Sequence, residues 1–318
     1  MTSPLLTRRS AGPIVARLSL ITALFTALFT ALLMGVALIG VALVAESPTA
    51  AATKTAAKAS NQAKLAPQVR ELLVAAASDL RPAFEEIGKQ FTAQTGTNVT
   101  FSFGSSGQLA QQISNGAPFD VFASADANFV EQVLRDGIGD VSTKTTYALG
   151  QLALWFPPRL KKQIITVTDL SKASIQRIAI ANPEHAPYGR AAVQVLQSAK
   201  IYELVKDKLV LGENVSDTYR LATSGNADAA LVSLSLVIAN TNTSGNNNKS
   251  RSAVGHYIVV PRNAHAPLQQ TLMVTATKSR SSSAKAFASM VSSAKGRTTM
   301  RKYGFLLPGD PQPSNNNG

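Results

Sequence analysis

Residues 72–84 read LLVAAASDLRPAF, and the reading of this stretch decides the fold. Leu72–Ala77 is a short apolar run, as expected for a strand buried on both faces of a parallel sheet. The run stops at Ser78-Asp79. Leu80, Phe84, Ile87 and Phe91 then recur at spacings of four, three and four, which makes one helix stripe. Ser78 is predicted as the N-cap, and Asp79 suits the positive end of the helix dipole. Pro82 is tolerable because it falls in the first turn, and Gly96 is the expected stop. The stretch is therefore one β–α unit, with a serine at its turn.

The unit repeats in kind further along. Asn98–Phe103 alternates and is β-rich, Gly104-Ser-Ser-Gly107 follows, and Leu109, Ala110 and Ile113 begin a helical face that ends near Asn115-Gly116. A flexible linker would be flanked by low-complexity sequence, whereas periodic elements flank this one. Phe119–Ala123 and Arg177–Ala181 read as further strands, as do Ala229–Val232, 256–260 and 271–277. Tyr147–Phe156 reads as one long β-rich segment ended by Pro157-Pro158. Helices are expected near 189–199, 282–294 and 296–303. Strand–helix alternation over some 235 residues predicts an α/β protein, long enough for two lobes with a ligand cleft between them.

Composition narrows the function. The 318 residues contain no cysteine, so no thiolate chemistry or disulfide is available. His185, His256 and His265 share no metal-ligand spacing. The net charge of +13 is spread out: residues 1–70 hold seven Lys/Arg and one acid, residues 71–318 hold 24 and 17. No basic run with interleaved aromatics occurs, so no nucleic-acid partner is expected. Arg8, Arg9 and Arg17 precede 28 uncharged residues, Leu18–Ala45, long enough to cross a bilayer. Residues 1–50 are read as a signal peptide or membrane anchor, 51–69 as a flexible tether and 309–318 as a disordered tail. Export follows, to the periplasm or to the outer face of the cytoplasmic membrane.

Serine at a strand-to-helix turn is an anion-binding arrangement. The first N–H groups of a helix have no internal partner, and the dipole favours negative charge there. A serine hydroxyl adds a neutral donor, and glycine lets backbone approach a ligand. Such a donor set favours a fully deprotonated oxyanion. Four junctions qualify: Ser78-Asp79, Gly104–Gly107, Tyr188-Gly189 after Asn182, and Gly212–Asp217. For a lone serine, simple capping is the competing reading, and Ser105 is read as a turn residue only. Enzyme signatures are missing: GSSG has the wrong spacing for a nucleophile elbow, and no phosphate or dinucleotide loop follows a strand. Glu85-Glu86 reads as a solvated face and Glu184-His185 as a local turn. Asp120 and Asp126 show no partner that would make them an acid/base pair.

VAAASDLRPAFEEIGKQF, FGSSGQLAQQISNGAPFDVFASAD, ANPEHAPYGRAAVQVL, GENVSDTYRLATSGNADAALVSLS and KYGF, in that order over about 70–307, closely resemble the molybdate-binding proteins of bacterial molybdate ABC transporters. The resemblance implies a type II periplasmic-binding-protein-like fold: two α/β lobes joined by two crossover strands, with the ligand cleft between them. Lobe one would comprise 70–147 plus 258–308 and lobe two 148–257, with crossovers near 147–150 and 255–260. It implies capture of molybdate or tungstate by hydroxyls and backbone amides, with no cofactor and no direct metal ligand. Carried over, the ligand contacts are Ser78, Asp79 through its N–H, Ser106, and the N–H groups of Tyr188 and Val215. Where some relatives add a tyrosine hydroxyl, this chain has Ser233-Leu-Ser-Leu, offering Ser233 or Ser235 in its place. The Asp79 side chain is expected to turn toward its own helix, since a carboxylate in the cleft would repel an oxyanion. The expected partners are the membrane permease and ATPase of an importer, with the receptor a monomer and not an enzyme. The competing readings are a receptor for sulfate or another tetrahedral oxyanion, a serine-dependent ester hydrolase, and a membrane-anchored sensor.

Overall fold

The computed structural model describes residues 71–243, 255–275 and 280–310. The expected signal or anchor with its apolar run 18–45, the tether, the asparagine-rich loop 245–248 and residues 311–318 lie outside the described residues. Asp310, at the start of the expected tail, is held by Arg301 at 2.6 Å and accepts the Leu307 amide at 2.9 Å.

In chain order the strands are β1 (Glu71–Ala77), β2 (Asn98–Gly104), β3 (Val121–Ser124), β4 (Asp140–Gly150) and β5 (Leu152–Phe156). They continue with β6 (Ile178–Ala181), β7 (Leu209–Gly212), β8 (Ala229–Ser233), β9 (His256–Val259) and β10 (Leu268–Val274). The helices are α1 (Arg81–Thr95), α2 (Ser106–Ser114), α3 (Ala127–Arg135), α4 (Pro187–Ser198) and α5 (Tyr202–Val205). After these come α6 (Val215–Thr223), α7 (Leu234–Thr243), α8 (Ser281–Ser292) and α9 (Ala294–Lys302).

The strands form two five-stranded sheets, ordered β2-β1-β3-β10-β4 and β7-β6-β8-β5-β9. In the first, β1 runs parallel to β2 and β3, and β10 is antiparallel to β3 and β4. In the second, β6 runs parallel to β7 and β8, and β5 is antiparallel to β8 and β9. This is the expected pair of α/β lobes. The segment read as one strand, 147–156, is two: Gln151 divides β4 in the first sheet from β5 in the second. The break is fixed by its neighbours, because the Gln151 carbonyl accepts from Leu234 and Leu149 pairs with Leu306 at 2.7 and 3.0 Å. The chain returns to the first sheet between Val259 and Leu268, a few residues past the expected crossover.

The apolar pattern of β1 explains its position. Leu72, Val74 and Ala76 join the core built on Phe84, Ile87 and Phe91, while Ala75 faces Leu109, Ile113 and Val133 on the opposite side. A strand covered on both faces needs apolar residues at every position, as the run 72–77 supplies. Gly96 ends α1 at φ 69°, a left-handed conformation that suits glycine.

Candidate functional site

Four strand-to-helix turns converge. At the first, Ser78–Leu80 forms a 3-10 turn between β1 and α1. Ser78 was expected to cap the helix; it lies inside the turn and makes no cap. Its Oγ instead accepts the Ser216 amide at 3.3 Å, and Ser216 Oγ donates to the Ser78 carbonyl at 3.0 Å. The bond crosses from the first sheet's turn to α6 of the second.

At the second turn, Ser105 occupies the cap position in extended conformation but does not cap α2. Its Oγ lies 2.7 Å from His185 Nδ1 and donates to the His185 carbonyl at 2.8 Å. A hydroxyl that donates to the carbonyl is free to accept from an Nδ1–H. Gly107 donates its N–H to the same carbonyl at 3.0 Å, and a Cβ there would stand 2.8 Å from that oxygen. The glycine therefore serves a close approach between the lobes, where an approach to ligand was expected. Ser106 is buried, and its Oγ accepts the Ala125 amide at 3.0 Å.

The other two turns belong to the second sheet. Ala186 precedes α4 in extended conformation, with Pro187 at the first helical position and Tyr188 buried behind it. The Asn214 side chain caps α6 by accepting the amides of Ser216 at 3.0 Å and Asp217 at 3.1 Å. The preceding amide, Val215, has no intrahelical acceptor.

Ser78, Asp79, Ser106, Tyr188 and Val215 all line one cavity. Ser105, Ala125 and the small or apolar Ala77, Gly104, Ala186 and Pro187 complete its wall, and among the described residues no Lys, Arg or His lines it. Ser233 and Ser235 are buried outside the lining. Ser235 Oγ donates to the Asp79 carbonyl at 2.6 Å and lies 3.2 Å from Ser233 Oγ, so the pair braces the turn from behind.

Residues 72–306 match the family model described as bacterial extracellular solute-binding protein. The chain belongs to that family. Among curated relatives, the molybdate-binding protein ModA of Rhodobacter capsulatus is 35% identical over 239 residues, covering 74% of this chain and 88% of the relative. The ModA protein of Azotobacter vinelandii is 32% identical over 244 residues, covering 76% and 92%. The solved structure of the Azotobacter vinelandii periplasmic molybdate-binding protein superposes with a TM-score of 0.66 at 30% identity, covering 74% of this chain and 99% of that one.

For a solute-binding protein, the electrostatics of Asp79 are the unusual element. Its side chain reaches beyond its own turn, whose N–H groups also act on it: Tyr188 Oη donates to Oδ2 at 3.0 Å and Gln270 Nε2 at 2.8 Å. Burial pushes its carboxyl up to about 7, against the opposing pull of Tyr188, the nearby N–H groups of Asp79 and Leu80, and Gln270. The Tyr188 phenol is held well above its ordinary range by burial and by the Asp79 charge. Gln270 lies 191 positions away on β10, and no local sequence pattern signals the pairing.

The remaining candidates have structural partners. Asp120 accepts the Leu73 amide at 2.8 Å and pairs with Arg280 at 3.0 Å. Asp126 caps α3 through the Asn128 amide at 2.9 Å and pairs with Arg190 at 2.6 Å. Arg190 also stands over the Phe129 ring, 4.9 Å from its centroid. Glu86, expected on a solvated face, bonds Lys302 at 2.6 Å and Tyr303 Oη at 3.0 Å. His185 was expected to act within its own turn, yet it reaches the opposite lobe. Ser105 Oγ stands within hydrogen-bond distance of both the His185 ring and the His185 carbonyl.

Proposed function

We propose that this protein is an extracytoplasmic receptor that captures molybdate, and tungstate through the same contacts, for the permease and ATPase of an ABC importer. One observation carries the ligand class. Of the serines in the wall, Ser78 and Ser106 have their oxygens occupied by a backbone amide, Ser216 on Ser78 and Ala125 on Ser106, so these two hydroxyl protons stay available for donation. Added to them are first-turn amides of Asp79, Tyr188 and Val215, in a wall without a cation. A donor-only wall suits a ligand with no proton of its own, and molybdate, tungstate and sulfate meet that condition. The ModA relatives favour molybdate among the three.

All the donors come from one chain, which suits a monomeric receptor working by closure of two lobes. Burial of a dianion against neutral dipoles requires that water be excluded and each oxygen find a donor. The segment 18–45 would export the chain and, if retained, tether it to the membrane. No catalytic step is needed for this role.

Calorimetric titration of the purified exported protein with molybdate, tungstate, sulfate and phosphate tests the reading. Micromolar or tighter binding of molybdate and tungstate, with sulfate and phosphate weaker, is expected. Binding of sulfate but not molybdate would overturn the ligand assignment.

A further inference from the structure

Asp79 of the cavity wall takes part in a buried pairing that a donor-only scheme does not explain. Asp79 and Gln270 are fully buried and joined through one end of each side chain, Gln270 Nε2 donating to Asp79 Oδ2. Their other ends, Asp79 Oδ1 and Gln270 Oε1, are buried and make no hydrogen bond, although the N–H groups of Asp79 and Leu80 stand near the carboxyl. Turning the Gln270 amide over would set oxygen against oxygen and improve nothing. For a carboxylate this arrangement leaves two buried acceptors without a hydrogen bond, which is unfavourable. For a carboxylic acid the deficit is smaller, because a proton on Oδ1 turns an unpartnered acceptor into a donor.

We propose that Asp79 is a positioning residue of the oxyanion site that carries a proton in the closed protein, so that capture of the dianion is accompanied by uptake of one proton. This rests on the ligand reading above. The proton keeps the wall neutral where a carboxylate would repel the ligand, and the acid in turn holds Tyr188, whose first-turn amide faces the cavity. Tyr188 stands on α4 of the second lobe, whereas Asp79 and Gln270 belong to the first. Closure therefore brings the acid into its buried, neutral setting, and opening returns it toward water.

The surrounding groups leave the carboxyl without a cation. From α4 it meets Tyr188. Tyr147 of β4 lies close enough to feel its charge, and its buried hydroxyl makes no bond. Ser235 of α7 bonds the Asp79 carbonyl, and Ser216 of α6 bonds Ser78. Arg81 of α1 is turned outward to Glu85 at 3.4 Å and to the face of Phe103. Arg190 is bonded to Asp126, and Asp217 and Arg220 of α6 pair with each other. Glu71, at the far end of β1, bonds Thr100.

The sign follows from linkage. The closed form holds the Asp79 carboxyl at about 7, while a hydrated carboxyl has its ordinary value of 3.8. Between those values the closed form binds a proton that the open form lacks. A dianion in the cavity raises the closed-state value further. Closure is thus favoured at low pH and loses support as pH rises through the closed-state value, by up to about tenfold in affinity per pH unit.

The test is calorimetric titration of the purified exported protein with molybdate between pH 6 and 9, in paired buffers of different ionisation enthalpy. The wild type is expected to take up close to one proton on binding at pH 6, with the uptake falling as pH rises through about 7, and to bind more weakly as pH rises. Asp79→Asn replaces the acid O–H by an amide N–H. It is expected to bind without proton uptake and with nearly flat affinity. Molybdate binding by the wild type with no proton uptake and no pH dependence would overturn the proposal alone, and needs no variant. A variant that kept the wild-type pH profile would overturn it too. Tight binding of phosphate would place the proton on the ligand and Asp79 in its charged form, again contrary to the proposal. Failure to bind molybdate at any pH would sink the ligand reading on which the proposal rests.

Discussion

Ser78-Asp79 and Ser105-Ser106 hold the same place in the fold, each joining a strand of the first sheet to the helix that follows. Both open with a serine, both lie against the cavity, and neither serine caps its own helix. They differ in what stands opposite. The first turn faces the strand crossing and is closed by a buried acid held by Tyr188 and Gln270. The second faces the His185 loop, and its serines divide the work: Ser105 reaches the opposite lobe while Ser106 faces the cavity. The same local sequence grammar therefore gives an electrostatic element in one turn and a latch in the other. The partner decides which.

Three substitutions sharpen the contrast, and the largest effect is expected from Gly150→Ala. A Cβ at Gly150, where β4 ends, would stand 2.9 Å from Gln270 Nε2 and closer still to Tyr188 Oη. Both atoms are tied to Asp79, so neither can move away without breaking a buried bond. A loss of about 3 kcal/mol in unfolding free energy is expected, measured by chemical denaturation, with weakened binding. Retention of wild-type stability would show that the first turn tolerates slack. Next is Ser106→Ala, which removes a donor to the ligand and leaves the Ala125 amide buried without its acceptor. Binding should weaken by about 1.5–3 kcal/mol, roughly 10- to 150-fold by calorimetry. Unchanged affinity would remove Ser106 from the site. The smallest effect is expected from Ser105→Ala, which loses the bonds to His185 but no ligand contact. A cost of about 0.5–1.5 kcal/mol should be read mainly as faster ligand release in stopped flow.

Much of this architecture is legible in sequence because it is local. The apolar run 72–77, the stripe through Leu80 and Phe91 and the stop at Gly96 each follow from one segment's own periodicity and backbone chemistry. The four turns are legible for the same reason, since any helix start after a strand exposes amides. Relations between segments are not. The division of 147–156 at Gln151 depends on Leu234 and Leu306, remote in sequence, and alternation alone reads through it. The direction of Asp79 depends on Gln270 and Tyr188, and the duty of Ser105 depends on His185. In the last two cases a side chain expected to stay within its own turn is bonded by a neighbour from another element. Ser233 and Ser235 mark the reverse error: two hydroxyls at a suitable place in sequence stand behind the site and brace it.

The claim that a donor-only cavity holds the oxyanion is tested most directly by diffraction at the molybdenum absorption edge from crystals grown with molybdate. The account predicts one anomalous peak in the cavity bounded by Ser78, Ser106, Tyr188 and Val215, with its oxygens on the two hydroxyls and the first-turn amides. A peak elsewhere, or a cavity without molybdenum in a saturated crystal, would contradict it.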